Sequence, residues 1–140
     1  MVYKVYCFII FMVLVYSWAK KNIQEIEEFV TLADGKVIDE WFREEEQQRI
    51  FGKCLYNERL ELIASYCLVK TAVIKALGIL PTQEVNFWDI EVSHTNKGKY
   101  NVTLYGSFRE LKDNLKLKCI NVNIRKLEDV VEAIVELNIA

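Results

Sequence analysis

The sequence predicts an α+β fold in which a long buried helix packs against a small antiparallel sheet. Three observations lead there. Residues 57–77 are apolar around most of a helical circumference, as in a helix enclosed by the rest of the molecule. Three short segments, Asp89–His94, Lys99–Tyr105 and Leu117–Ile124, have the alternation or β-branched content of strands. The 140 residues are 52% hydrophobic and 27% charged, with one Pro and five Gly, which suits one domain over residues 1–140. That composition excludes a disordered tail, a collagen-like repeat and a low-complexity linker.

Met1–Ala19 has the outline of a secretory leader: Lys4, an apolar run from Val5 to Val15, then Ser17 and Ala19 before Lys20-Lys21. The run is shorter than the roughly 20 apolar residues of a membrane span. It is also rich in Val, Ile, Phe and Tyr, as a central buried strand is, and it reads as strand one.

Asn22–Leu32 follows as a helix, with Ile23, Ile26, Phe29 and Val30 at helical spacing and Asn22 as its N-cap. Ala33-Asp34-Gly35-Lys36 is a turn. Val37–Phe42 leads into Arg43-Glu44-Glu45-Glu46, an acidic helix start that favours the positive end of the helix dipole, and this helix runs to about Phe51. Asn57–Leu77 is the buried spine, closed by Gly78 and Pro81. Thr95-Asn96-Lys97-Gly98 turns the hairpin, with Tyr100, Val102 and Leu104 on one face. Ser107–Leu115 is a short helix and Leu117–Ile124 a strand, while Val130–Leu137 fits a strand or a helix.

Charge and cysteine usage narrow the function. Lys97–Lys126 carries eight basic residues against two acidic ones within a chain of net charge −2. Such a stretch is either a solvated face or a dock for an acidic partner. Cys7, Cys54, Cys67 and Cys119 form no CxxC pair, and His94 is the sole histidine, which excludes a zinc site. Their apolar neighbourhoods suggest buried free thiols of a cytoplasmic protein. Neither a nucleic-acid nor a membrane partner is expected.

From Phe42 onward, four ordered stretches resemble the holo-acyl-carrier-protein synthase type of 4′-phosphopantetheinyl transferase. Phe42-Arg43-Glu44-Glu45-Glu46 is similar to that family's "F-T-x-E-E" helix start. Glu58-Arg59-Leu60 and Tyr66 to Gly78 resemble "E-R-L-A … F-A-x-K-E-A-x-x-K-A-L-G". Trp88 to Val92, Gly98-Lys99 and Val102 to Gly106 resemble "W-x-D-I-E-V … G-K-P-x-V-x-L-x-G", and Ile120 to Lys126 aligns with the "V-S-I-S-H" strand. The resemblance implies a 4′-phosphopantetheinyl transferase-like fold, usually trimeric with sites between subunits. It also implies an activity that uses Mg²⁺ to move phosphopantetheine from coenzyme A to a serine of acyl carrier protein.

The functional positions depart from that pattern. Family metal carboxylates are an Asp at the end of strand one and the Glu of "K-E-A". Here no Asp precedes Asp34, and Thr71 stands at the Glu position. Lys75, one helical turn on, and Lys70 are retained. The resemblance therefore makes Thr71 and Lys75 degenerate catalytic positions and Lys70, Asn121 and Asn123 degenerate cofactor-binding ones, with no metal ligand expected. The asparagines replace the serines of "S-I-S-H", Ile124 replaces its His, and His94 reads as a surface or turn residue. The helix that in the family grips the carrier with arginines is acidic here, Gln24-Glu25-Ile26-Glu27-Glu28.

The expectation is a non-catalytic scaffold or assembly subunit of a carrier-protein system, a homotrimer or a heteromer with a family relative or synthase subunit. Lys112, Lys116 and Lys118 would then face the acidic partner. The alternative is an active transferase with Mg²⁺ and coenzyme A, recruiting Glu25, Glu61 or Glu91 as the missing carboxylate.

Overall fold

The computed structural model describes residues 17–22, 36–53, 55–78, 86–127 and 130–139. In chain order these form β1 (Ser17–Asn22), α1 (Lys36–Trp41), α2 (Glu44–Phe51), α3 (Tyr56–Ala76), a 3₁₀ turn (Phe87–Asp89), β2 (Ile90–His94), β3 (Tyr100–Leu104), α4 (Gly106–Asn114), β4 (Leu117–Leu127) and β5 (Val130–Ile139). The class is α+β, as the sequence predicts. The strand expected over residues 5–15 and most of the helix expected over 22–32 lie outside the described residues. Asn22 closes β1, opposite Val130, instead of capping a helix. Lys36 opens α1 instead of ending a turn.

The α3 spine is buried on nearly every side. Leu60, the unbroken run from Leu62 to Lys70, and Ala72, Val73 and Ala76 are all buried. No single face of α3 is polar, because two sheets and α2 pack around it. Gly78 follows the helix with φ 73, the left-handed conformation in which a residue without Cβ carries no steric penalty.

Two antiparallel sheets enclose this helix. One has the order β1-β5-β4, and the other is the β2-β3 hairpin. Val130–Leu137, open between strand and helix in the sequence, is a strand: Val131, Ala133, Val135 and Leu137 alternate into the core. Three of them pair across to β4 as Ile120↔Leu137, Val122↔Val135 and Ile124↔Ala133, so these three β4 residues share the core face. Asn121 and Asn123 alternate to the opposite face.

The same alternation corrects the reading of the cysteines. Cys67 is buried on α3, and burial pushes its thiol pKa up to about 12. Cys119 is exposed, because it sits in the outward register of β4. Cys7 and Cys54 lie outside the described residues.

Candidate functional site

Two polar networks hang on the same side of α3, one helical turn apart. The first centres on Lys70, whose side chain is fully buried, as is that of Glu46. The Lys70 ammonium donates to Glu46 Oε1 (2.8 Å), to the Phe87 carbonyl (3.0 Å) and to the Trp41 carbonyl. Its three hydrogens are thereby used. Glu46 also accepts from the backbone N–H of Arg43 (2.8 Å) and of Val92 (2.9 Å). Burial lowers the Lys70 pKa and the Glu46 carboxylate opposes that shift. The acidic helix start is thus split: Glu44 and Glu45 are exposed, whereas Glu46 is an internal anchor joining α1, α2, α3 and β2.

The second network starts at Tyr66. Arg49 donates its Nε–H to the Tyr66 hydroxyl (2.9 Å) and an Nη2–H to the Val92 carbonyl (2.7 Å). The Tyr66 hydroxyl lies 2.9 Å from Nδ1 of His94. That hydroxyl accepts from Arg49 and has one hydrogen and one further lone pair, so it can donate to Nδ1 or accept from it according to the tautomer of the ring. Burial raises the Tyr66 phenol to about 12, so it stays a hydroxyl. His94 stacks on Tyr100, its register partner in β3, with ring centroids 5.4 Å apart. It is therefore a half-buried, hydrogen-bonded residue and not a bare turn histidine, because the β2–β3 hairpin folds its end back onto α3.

His94 lines a cleft of about 670 Å³ between the start of α3, the hairpin and β4. That size falls in the range that holds a small-molecule ligand. Lys53, Glu58, Glu61 and Lys126 supply its charges. Glu61 and Lys126 pair at 3.4 Å, both partly exposed. The Thr95–Lys99 turn forms one rim, with the Thr95 N–H donating to the Lys99 carbonyl (2.9 Å) and Gly98 at φ 81.

The residues that the family resemblance singled out are spread over three places. Thr71 is half-buried on α3, and its hydroxyl donates back to the Cys67 carbonyl at 2.8 Å. Lys75 is exposed one turn further on. Thr71 lies ten residues beyond Glu61, about 15 Å along the axis, and does not line the cleft. Lys70 is enclosed in the first network. Asn121 and Asn123 are exposed on the outer face of the three-stranded sheet. Lys112 (end of α4), Lys116 (left-handed backbone, φ 56) and Lys118 (β4) are all exposed.

Tested against Mg²⁺, the Thr71 position does not fit. Protein sites for this hard dication usually supply one or two carboxylates, but this position offers a neutral hydroxyl that donates to a carbonyl, one turn from an ammonium. Among the described residues no group of three His, Cys, Asp or Glu side chains is placed to hold a metal. Of the substitute carboxylates, Glu61 is in the cleft, Glu91 lies 3.8 Å from Arg43 on β2, and Glu25 lies outside the described residues. Reading the sequence passed over His94, Tyr66 and Arg49. Only the coincidence of the sole histidine with a strand end hinted at them.

No family model and no curated protein matches the sequence. Solved structures do. Holo-ACP-synthase from Plasmodium yoelii superposes with a TM-score of 0.75 at 16% identity, covering 91% of this chain and 95% of that one. Helicobacter pylori holo-[acyl-carrier-protein] synthase in complex with coenzyme A gives 0.71 at 22% identity, over 87% and 98%. The Bacillus anthracis synthase in complex with CoA (3′,5′-ADP) gives 0.71 at 20%, over 91% and 97%. The chain therefore has the holo-acyl-carrier-protein synthase fold. No helix among the described residues is long and apolar enough to cross a membrane.

Proposed function

We propose that this protein is a non-catalytic scaffold or assembly subunit built on the 4′-phosphopantetheinyl transferase fold, acting as one domain in a cytoplasmic acyl-carrier-protein system of fatty-acid or polyketide synthesis. The observation that supports this reading most is Thr71. Where the resembling family holds a metal carboxylate, this chain holds a hydroxyl donating to the Cys67 carbonyl at 2.8 Å, in a helix whose packing is otherwise kept. Assembly as a trimer, or as a heteromer with a relative, belongs to the same proposal. The exposed Lys112, Lys116 and Lys118 are its docking residues for an acidic carrier. Light scattering that returns a monomer near 16.4 kDa with no partner bound would end the assembly claim.

A second reading is favoured by the cleft. Glu61 lines it, and structures of similar fold carry coenzyme A. On that reading the protein is an active transferase with a substituted carboxylate, and Lys53 and Lys126 would hold the phosphates of coenzyme A. One experiment separates the two. The protein is incubated with coenzyme A, Mg²⁺ and candidate apo-carriers, and each carrier is weighed by mass spectrometry. The scaffold reading expects unchanged masses, while a gain of one phosphopantetheine on any carrier establishes the transferase.

A further inference from the structure

We propose that the corner between α2 and α3 docks the protein on an anionic lipid surface, with Phe51, Leu55 and Tyr56 entering the boundary between headgroups and acyl chains. This holds whether or not the protein transfers phosphopantetheine. Among the described residues, the large hydrophobic ones that stand open to solvent are Phe51, Leu55 and Tyr56, at 53%, 62% and 57% exposure. Exposed apolar residues scattered singly over a surface are ordinary, but here all of them fall within residues 51–56 and make a patch.

The fold holds this patch outward. Phe51 ends α2 and Tyr56 opens α3. The Gly52 N–H donates to the Gln48 carbonyl (2.9 Å) and the Lys53 N–H to the Ile50 carbonyl (3.2 Å). Arg59 donates its Nε–H to the Lys53 carbonyl (2.7 Å), which ties the start of α3 to the end of α2. More than half of each apolar residue is open, so the three form a projection and not a groove. A partner helix is held by a groove that closes around its apolar face, whereas a bilayer yields to a projection. Aromatic side chains with an apolar body suit that boundary. Charge selects the lipid. Lys53 stands between Phe51 and Leu55 in the chain, and Arg59 follows one turn after Leu55. Lys53 shares its cleft with the Thr95–Lys99 turn, where Lys97 and Lys99 are exposed, and with Lys126. Against these cations stand Glu58 and Glu61, of which Glu61 is paired with Lys126. The end of the molecule that carries the patch is therefore net positive, which attracts it to anionic headgroups. The contact is peripheral, needs no spanning helix, and on this point departs from the expectation of no membrane partner.

The full chain is mixed with vesicles of phosphatidylserine and phosphatidylcholine, or of phosphatidylcholine alone, and the fraction that sediments with them is measured. The expected result is binding to the anionic vesicles that weakens as salt is added and is about tenfold weaker or more on phosphatidylcholine alone. Phe51→Ser combined with Leu55→Ser should weaken binding to the anionic vesicles by about tenfold or more. Both positions are exposed, so the thermal midpoint should stay where it is. Lys53→Ala, Lys97→Ala and Lys99→Ala should each weaken binding by about fivefold. Apo-acyl carrier protein replaces the vesicles in a parallel arm. Undiminished vesicle binding by the serine variant, equal binding to phosphatidylcholine alone, or no binding to either vesicle overturns the proposal. Carrier binding that the serine substitutions abolish, with vesicle binding unchanged by them, also overturns it and gives the corner to a protein partner.

Discussion

Lys70 and Tyr66 sit one turn apart on α3, and their surroundings could hardly differ more. Around Lys70 every hydrogen of the ammonium has a protein acceptor, and Glu46 opposite is equally enclosed. Around Tyr66 the chain of hydrogen bonds ends at a half-buried imidazole that opens on a cleft. An ammonium whose three hydrogens all go to protein acceptors has none left for a ligand. A network that stops one bond short, at a wall of solvent-accessible space, has a bond left to give. The contrast separates a lysine enclosed by protein from a histidine on β2 that lines a cleft, although the two networks start one turn apart on the same helix.

The largest expected effect tests the closed network. Lys70→Met leaves Glu46 buried and unpaired, and should cost about 3–5 kcal/mol in urea unfolding. Adding Glu46→Gln should recover part of that, since the amide carries no charge but its carbonyl still accepts from a backbone N–H. A loss below about 1 kcal/mol for Lys70→Met would mean that the lysine escapes to solvent and that the two networks are not distinct.

Tyr66→Phe sharpens the contrast from the open side. It keeps the ring volume and deletes the hydroxyl that Arg49 and His94 share. The expected cost is about 1 kcal/mol, together with a change in the His94 ring nitrogen shifts as Nδ1 loses its partner.

The smallest effect is the dependence of stability on pH. His94 has a folded pKa below its unfolded value of 6.5, so its neutral form stabilises the fold above pH 6.5. As pH falls below that value the unfolded chain binds the proton first, and this contribution is lost on the way down through the folded pKa. The thermal midpoint of the wild type should therefore drop more between pH 7.5 and 5.5 than that of His94→Gln. Equal drops would remove His94 from the account of the cleft.

The elements were legible where the signal is local. α2 from Glu44, α3 over Tyr56–Ala76 and the β2–β3 hairpin fall within a residue or two of their sequence limits, because periodicity and the Gly78 stop are read within a few turns of chain. The fold family was legible too, since its signature is ordered packing residues such as Tyr66, Val69 and Val73, which are fully buried. The candidate cleft was not legible, because its lining comes from the start of α3, the hairpin and β4, which are far apart in the chain. Glu46 looked like any solvent-facing acid at a helix start, and His94 like any turn residue.

By itself, then, the sequence determined the α+β class and the buried spine, both properties of short windows. Tertiary structure alone decided which polar groups became partners. Glu46 meets Lys70 across 24 residues, His94 meets Tyr66 across 28, and Arg49 reaches Val92 across 43. No local pattern encodes those meetings, because each follows from how α3, the hairpin and α2 share one dry interior. Burial encloses the Lys70–Glu46 pair, while the Tyr66–His94 pair borders the cleft.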